Sequence, residues 1–144
     1  MNEITINAKG KINISLDITG RREDGYHLVR MVMQSVNLED QVTVRKSPAE
    51  GFEIQLTCDE PSLPADEGNI AWRAAAVIAE RKNLRGRIEI DIKKRIPLAA
   101  GMAGGSADAA AVIRALDELY GLKMSMEEKD DIAVSLGADV PFAL

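Results

Sequence analysis

The chain has 144 residues, 46% hydrophobic and 28% charged, enough for one domain with a real core but not comfortably for two. Its 18 Lys and Arg against 23 Asp and Glu leave a net charge of −5, which disfavours a general nucleic-acid binder, and no apolar run reaches membrane-spanning length. The single cysteine, Cys58, excludes an internal disulfide and a cysteine metal cluster and reads as a small buried residue. With an N-terminus, MNEITINAKGKINI, that lacks the shape of a signal peptide, it makes a reducing cytoplasm the expectation.

Gly10 to Ile18 alternates strictly, with Ile12, Ile14, Leu16 and Ile18 on one face and Lys11, Asn13, Ser15 and Asp17 on the other, the pattern of a half-buried strand. The stretch GRREDGYH carries a turn signal at Asp24-Gly25, and Leu28 to Leu38 reads as strand in part, with no clear period. Gln41 to Arg45 and Phe52 to Cys58 read as two more strands, punctuated by Pro48 and Gly51. After the loop at 61–68, Asn69 is suited to cap a helix running to about Lys82, with Ile70, Ala74, Val77 and Ile78 on one face. Arg87 to Lys93 alternates again, Ile88, Ile90 and Ile92 against Glu89, Asp91 and Lys93. A helix is predicted from about Ser106 to Tyr120, closed by Gly121, with Ala109, Val112, Ile113, Leu116 and Tyr120 as its stripe. Ser125 and Glu128 form a capping-box pattern opening a last helix that ends at Gly137. Alternating strands with one wet face predict an α+β fold, a mostly antiparallel sheet with helices packed on one side. No internal repeat or low-complexity segment interrupts it.

Between the last strand and the Ser106 helix lies IPLAAGMAGGSADAAA, residues 96–111, in which Gly101, Gly104 and Gly105 precede a strong helix former. It is not a Walker A loop, since no Lys-Ser/Thr follows the last glycine, and Ala103 breaks a GxGxxG reading. A strand-to-helix loop of small residues leaves backbone amides and a helix N-terminus open to an anion such as a phosphate. The competing reading is a flexible connector with Ser106 as N-cap and Asp108 serving the helix dipole. Flexible connectors are more often Gly/Ser-rich with charges mixed in, whereas Ala and Met alternate with Gly here. Lys93, Lys94 and Arg95 before the loop read either as a solvated strand end or as an attraction for a polyanion. Glu127, Glu128, Asp130 and Asp131 make the last helix acidic. Two residues suit phosphoryl transfer beside such a loop: Lys11 as a cation and Asp139, on a turn before Val-Pro, as an acceptor of a hydroxyl proton. Each has a plain alternative, a solvated lysine and a turn-forming aspartate.

AKGKIN at 8–13, TGRREDGYH at 19–27, PLAAGMAGGSADAAA at 97–111 and LGADVPF at 136–142 occur together in this order. The set closely resembles the GHMP kinases over nearly the whole chain. The glycine loop alone indicates the superfamily; the TGRREDGYH segment is similar to the branch that acts on a cytidine-diphosphate-linked methylerythritol in non-mevalonate isoprenoid precursor synthesis. The resemblance implies ATP and Mg²⁺ as cofactors, and a fold like the second domain of a small-subunit ribosomal protein. It implies that Pro97, Leu98, Ala99, Ala100, Gly101, Met102, Ala103, Gly104, Gly105, Ser106 and Ala107 wrap the ATP phosphates, with Ser106 also near Mg²⁺. It implies Asp139 as the catalytic base and Lys11 as the catalytic cation that holds that carboxylate and the substrate hydroxyl in register. Asn13 would contact the substrate, Tyr26 would stack on the cytosine and His27 would hydrogen-bond to it.

Two departures accompany the resemblance. Gly10 stands where the family commonly has alanine, so the strand is expected to start more loosely. Nothing matches the family's second, C-terminal domain, so residues 1–144 are expected to be its N-terminal, ATP-binding domain, as a fragment or a truncated protein. Alone, the chain is then expected to fold, to turn over poorly and to self-associate through the surface the missing domain would cover. Other members of the superfamily, acting on homoserine, mevalonate or a sugar, are the nearest alternative, and TGRREDGYH argues against them. A non-catalytic RNA-binding module of the same fold is a further one, disfavoured by the net charge of −5.

Overall fold

The computed structural model describes residues 1–21, 23, 27–98 and 102–144, and side chains within that set outside 13–21 and 27–33. Four strands, β1 (Glu3–Arg21), β2 (His27–Ser47), β3 (Phe52–Cys58) and β4 (Gly86–Lys93), form one sheet in the order β1-β2-β4-β3. The helices are α1 (Ile70–Lys82), α2 (Gly104–Tyr120), α3 (Met126–Leu136) and the single turn α4 (Val140–Ala143). The β1–β2 and β2–β4 pairings are antiparallel, as the alternation predicted; β3 pairs with β4 in parallel because α1 carries the chain back between them.

The sheet's inner face explains most of the core. Val42, Val44, Ile88, Ile90 and Ile92 are at most 1% exposed and pack beneath Ala74, Ala75 and Ile78 of α1 and Val112, Ile113 and Leu116 of α2. Burying each large aliphatic side chain contributes about 1.5–3 kcal/mol, so β4 is a principal anchor of the fold. Leu28–Leu38 and Gln41–Arg45 are one continuous strand rather than two, since β2 pairs with β1 along nearly its whole length.

The predicted facing of β1 is corrected at its centre. The register shifts between Lys9 and Lys11; before the shift Ala8 faces the core, and after it Lys11 is buried while Ile12 is 43% exposed. An irregularity of this kind reverses which side chains face inward. The strand does not start at Gly10, which is the point where its register shifts. It begins at Glu3, and a Cβ on Gly10 would meet Leu38 O, Ile96 Cδ1 and Met102 O at 3.4–3.5 Å, ordinary contact that alanine would also make. Cys58 is half-buried against the core, and burial pushes its thiol up, away from reactivity.

Candidate active site

The three long helices start differently. Asn69 caps α1 by accepting from Ala71 N at 3.0 Å, and Ser125 caps α3 by accepting from Glu128 N at 3.1 Å. The capping box of α3 is only half formed, because the Glu128 carboxylate turns to Lys82 Nζ at 2.5 Å. Helix α2 begins at Gly104, two residues before the predicted start, and Ser106 lies inside its first turn rather than at the N-cap. Its N-cap is Ala103, left-handed at φ 53°, with no side-chain cap and no acid in the first turn. The first intrahelical bond at this end is Ala107 N to Ala103 O at 2.9 Å, so the amides of Gly104, Gly105 and Ser106 lie ahead of the ladder. An uncapped N-terminus with this polarity suits an anion.

Gly104 starts the helix because packing leaves it no alternative. A Cβ there would come within 3.1 Å of both Ile96 Cγ2 and Lys94 Nζ. At Gly105, among the described residues, a Cβ would meet only Ile70 Cγ2, at 3.5 Å, an ordinary contact. Ile70 also sits 3.4 Å from the corresponding point on Gly137, and Ser106 Oγ lies 4.0 Å from it. The starts of α1 and α2 and the turn before Asp139 therefore converge. Lys11 N donates to Met102 O at 2.9 Å, tying β1 to the end of the glycine loop.

Here Lys11 and Asp139 meet. Lys11 is 7% exposed and its Nζ lies 3.8 Å from Asp139 Oδ1, the Asp139 side chain being 39% exposed. Asp139 occupies the N-cap of α4 but makes no capping bond, which leaves its carboxylate to face Lys11. Both line a cavity of about 270 Å³ together with Lys9, Ser35, Ala103 and Arg114. Larger concavities of about 540 and 450 Å³ lie elsewhere, lined by neither residue. A carboxylate oriented by a buried ammonium and open to a cavity can take a proton from a bound hydroxyl. Arg114 was not singled out in the sequence. Its Nε is buried without a hydrogen-bond partner, and burial depresses its guanidinium pKa.

Of the other candidates, Leu98 is exposed, Met102 packs against the core and Ala107 is buried. Pro97 lies ahead of the undescribed segment. Ala99, Ala100, Gly101 and Tyr26 lie outside the described residues. Asn13 and His27 are placed only by backbone register, opposite Met33 and Arg21.

The basic run before the loop proves to be divided. Lys94 is neither a solvated strand end nor open to a ligand. Its Nζ donates to Asp40 and, at 2.8 Å, to Asp108 Oδ2, and all three side chains are at most 6% exposed. Asp108 is thus a core residue, not a helix-dipole acid. Burial first, then hydrogen bonding with Asp40, push its carboxyl up to about 8 against the pull of Lys94. Burial alone would also raise Asp40. Hydrogen bonds with Asp108, the Ile96 amide, Lys94 and the Arg95 amide outweigh it and hold Asp40 below the usual range. For Lys94, burial alone would lower the ammonium pKa, but Asp108 and Asp40 raise it.

Among the described residues no three His, Cys, Asp or Glu side chains gather to hold a metal. Mg²⁺ brought in with nucleotide phosphates needs few protein ligands, and Ser106 lies in the first turn of α2.

The pairing of an uncapped, glycine-opened helix with a lysine–aspartate pair defines a class. The chain belongs to the GHMP kinases, residues 69–144 matching the GHMP kinases N terminal domain. It is 49% identical over 144 residues to the 4-diphosphocytidyl-2-C-methyl-D-erythritol kinase of Acetivibrio thermocellus, covering 100% of this chain and 50% of the relative. It is 45% identical over 141 residues to that of Clostridium botulinum, covering 98% and 49%. A crystal structure of 4-(cytidine 5'-diphospho)-2C-methyl-D-erythritol kinase superposes with a TM-score of 0.81 at 35% identity, over 97% of this chain and 48% of that one. Homoserine kinase from Cytophaga hutchinsonii shares the fold, with a TM-score of 0.72 at 22% identity over 94% of this chain and 41% of its own. The chain spans about half the length of the curated relatives it matches. Among the described residues no helix is long and apolar enough to cross a membrane.

Proposed function

We propose that the chain is the ATP-binding, hydroxyl-activating part of a kinase that transfers the γ-phosphoryl group of ATP to the 2-hydroxyl of 4-diphosphocytidyl-2-C-methyl-D-erythritol. The observation that carries this reading is the approach of Lys11 to Asp139, 3.8 Å apart in a cavity that also takes in Ala103, the N-cap of α2. The choice of substrate is supported by relatives 45–49% identical that bear that name.

In this reading the triphosphate lies on the amides of Gly104, Gly105 and Ser106 at the start of α2. Phosphoryl transfer asks mainly for positioning and charge neutralisation, and these amides supply both without side chains. Mg²⁺, entering with ATP and touching Ser106, would neutralise phosphate charge. Asp139 takes the proton from the acceptor hydroxyl. Lys11 fixes the Asp139 carboxylate and stabilises charge on the attacking oxygen. Arg114 joins Lys9 and Lys11 as a further cation in the wall of the same cavity. Asn13 is assigned to a substrate contact beside Lys11 by its place in AKGKIN, and Tyr26 and His27 are assigned to the cytosine by their place in TGRREDGYH.

The test is an ADP-release assay with ATP, Mg²⁺ and the cytidine-diphosphate-linked substrate beside homoserine, mevalonate and a sugar, in the protein at its relatives' full length. Turnover of the first substrate, lost in Asp139→Asn, is the expected result. Preference for another acceptor would move the assignment within the family. No turnover of any acceptor would remove it.

A further inference from the structure

We propose that Asp40, Lys94 and Asp108 form a buried clamp that positions the phosphate loop: they lock the residues on its two sides against each other and withhold Lys94 from the nucleotide. The inference rests on the nucleotide reading above and adds positioning residues to it.

Three apolar stripes run into one another at this point. On β2, Val44 and Val42 continue at the strand period to Asp40. Beyond β4, Ile88, Ile90 and Ile92 continue to Lys94. On α2, Leu116 and Val112 continue at i−4 to Asp108. Each stripe ends in a charged residue, and the three charges meet in the interior. Asp40 Oδ1 accepts from Arg95 N at 2.6 Å and Ile96 N at 2.9 Å, so it holds the backbone that enters the loop. Its other oxygen accepts from Lys94 Nζ, which reaches across to Asp108 in α2. A Cβ on Gly104 would touch that same Nζ at 3.1 Å. Residues 94–96 and 104–108 are thus joined behind the loop, and the lysine nearest the loop is committed to the joint.

Lys94 is held by its backbone as well as by its side chain: Asp59 Oδ1 at the end of β3 accepts from Lys94 N at 2.8 Å, while Lys94 Nζ donates to Asp40 and Asp108.

The experiment is calorimetric titration with ATP and Mg²⁺ at pH 7, with the melting temperature and the KM of the acceptor substrate. It compares wild type, Asp40→Asn, Asp108→Leu and Asp108→Asn in the protein at its relatives' full length. Asp40→Asn should weaken ATP binding at least tenfold while the acceptor KM stays within threefold. Asp108→Leu should do the same, and Asp108→Asn, whose amide oxygen can still accept from Lys94, should restore ATP binding to within threefold of wild type, a split that a merely structural role would not produce. Folded Asp40→Asn with unchanged or tighter ATP binding overturns the clamp, tighter binding because a released Lys94 would then be a phosphate contact. Folded Asp108→Leu with ATP binding like wild type overturns it as well, and decides alone if Asp40→Asn does not fold. Wild type that binds no ATP at all instead removes the nucleotide reading on which the clamp rests.

Discussion

Lys11 and Lys94 are both buried lysines near the same loop, and the exposure of their carboxyl partners distinguishes them. Lys94 faces two carboxylates that are themselves almost fully buried, whereas Lys11 faces Asp139, which is 39% exposed and opens on a cavity. A buried charge with buried partners is a structural joint whose loss leaves an unpaired ion in the core. A buried charge whose partner reaches solvent can act on whatever enters that solvent. The difference separates holding a loop from doing chemistry beside it.

The largest expected effect falls on the open pair. Asp139→Asn should lower kcat by about 10²–10⁴, the usual contribution of a general base, with ATP affinity within a few-fold. Near-normal kinetics would end the base assignment. A paired substitution then breaks the comparison directly. Lys94→Met should destabilise the fold by about 3–5 kcal/mol, a fall in Tm on the order of 10 °C or more, because Asp40 is left buried and uncompensated. Lys11→Met should lower Tm less than Lys94→Met does, yet cut kcat about 10²-fold. Thermal melts beside steady-state rates read both, and equal losses of Tm in the two variants would erase the distinction.

The glycines separate in the same way. Gly104→Val forces a branched side chain against Ile96 and Lys94, so it should cost about 1–3 kcal/mol of stability together with ATP affinity. Gly104 is not among the residues of positive φ, so crowding rather than strain is the cause. Among the described residues Gly105→Ala meets only Ile70, at 3.5 Å; it should leave Tm nearly unchanged and weaken ATP binding, because its Cβ stands beside the amides assigned to the phosphates.

The smallest effect concerns pH and stability. In the unfolded chain Asp108 loses its proton in the ordinary carboxylate range; folded, it keeps it to about 8. Between those values the folded state binds the extra proton, so this group's contribution is full at low pH and is lost as pH rises toward 8. Asp108→Asn lacks that slope. Its Tm relative to wild type should therefore climb between pH 5 and pH 8 and then level, and a constant offset across that range would contradict the protonated state of Asp108.

Local pattern alone placed Phe52–Cys58, the Asn69-capped α1, β4, and the ends of α2 and α3 at Gly121 and Gly137, because periodicity and caps are properties of neighbouring residues. The motif set placed Lys11 and Asp139 in one site before any contact was visible. Tertiary structure decided what depends on distant partners. Whether β2 was one strand or two was settled by its pairing with β1, and the start of α2 at Gly104 by the space left beside Ile96. The inward turn of Lys11 came from an irregularity in register that alternation cannot reveal. The clamp was half legible: Asp40, Lys94 and Asp108 each extend an apolar stripe, which signals burial. That three such stripes end at the same point is a fact about how β2, β4 and α2 pack, and no local sequence rule reports where separate elements cross.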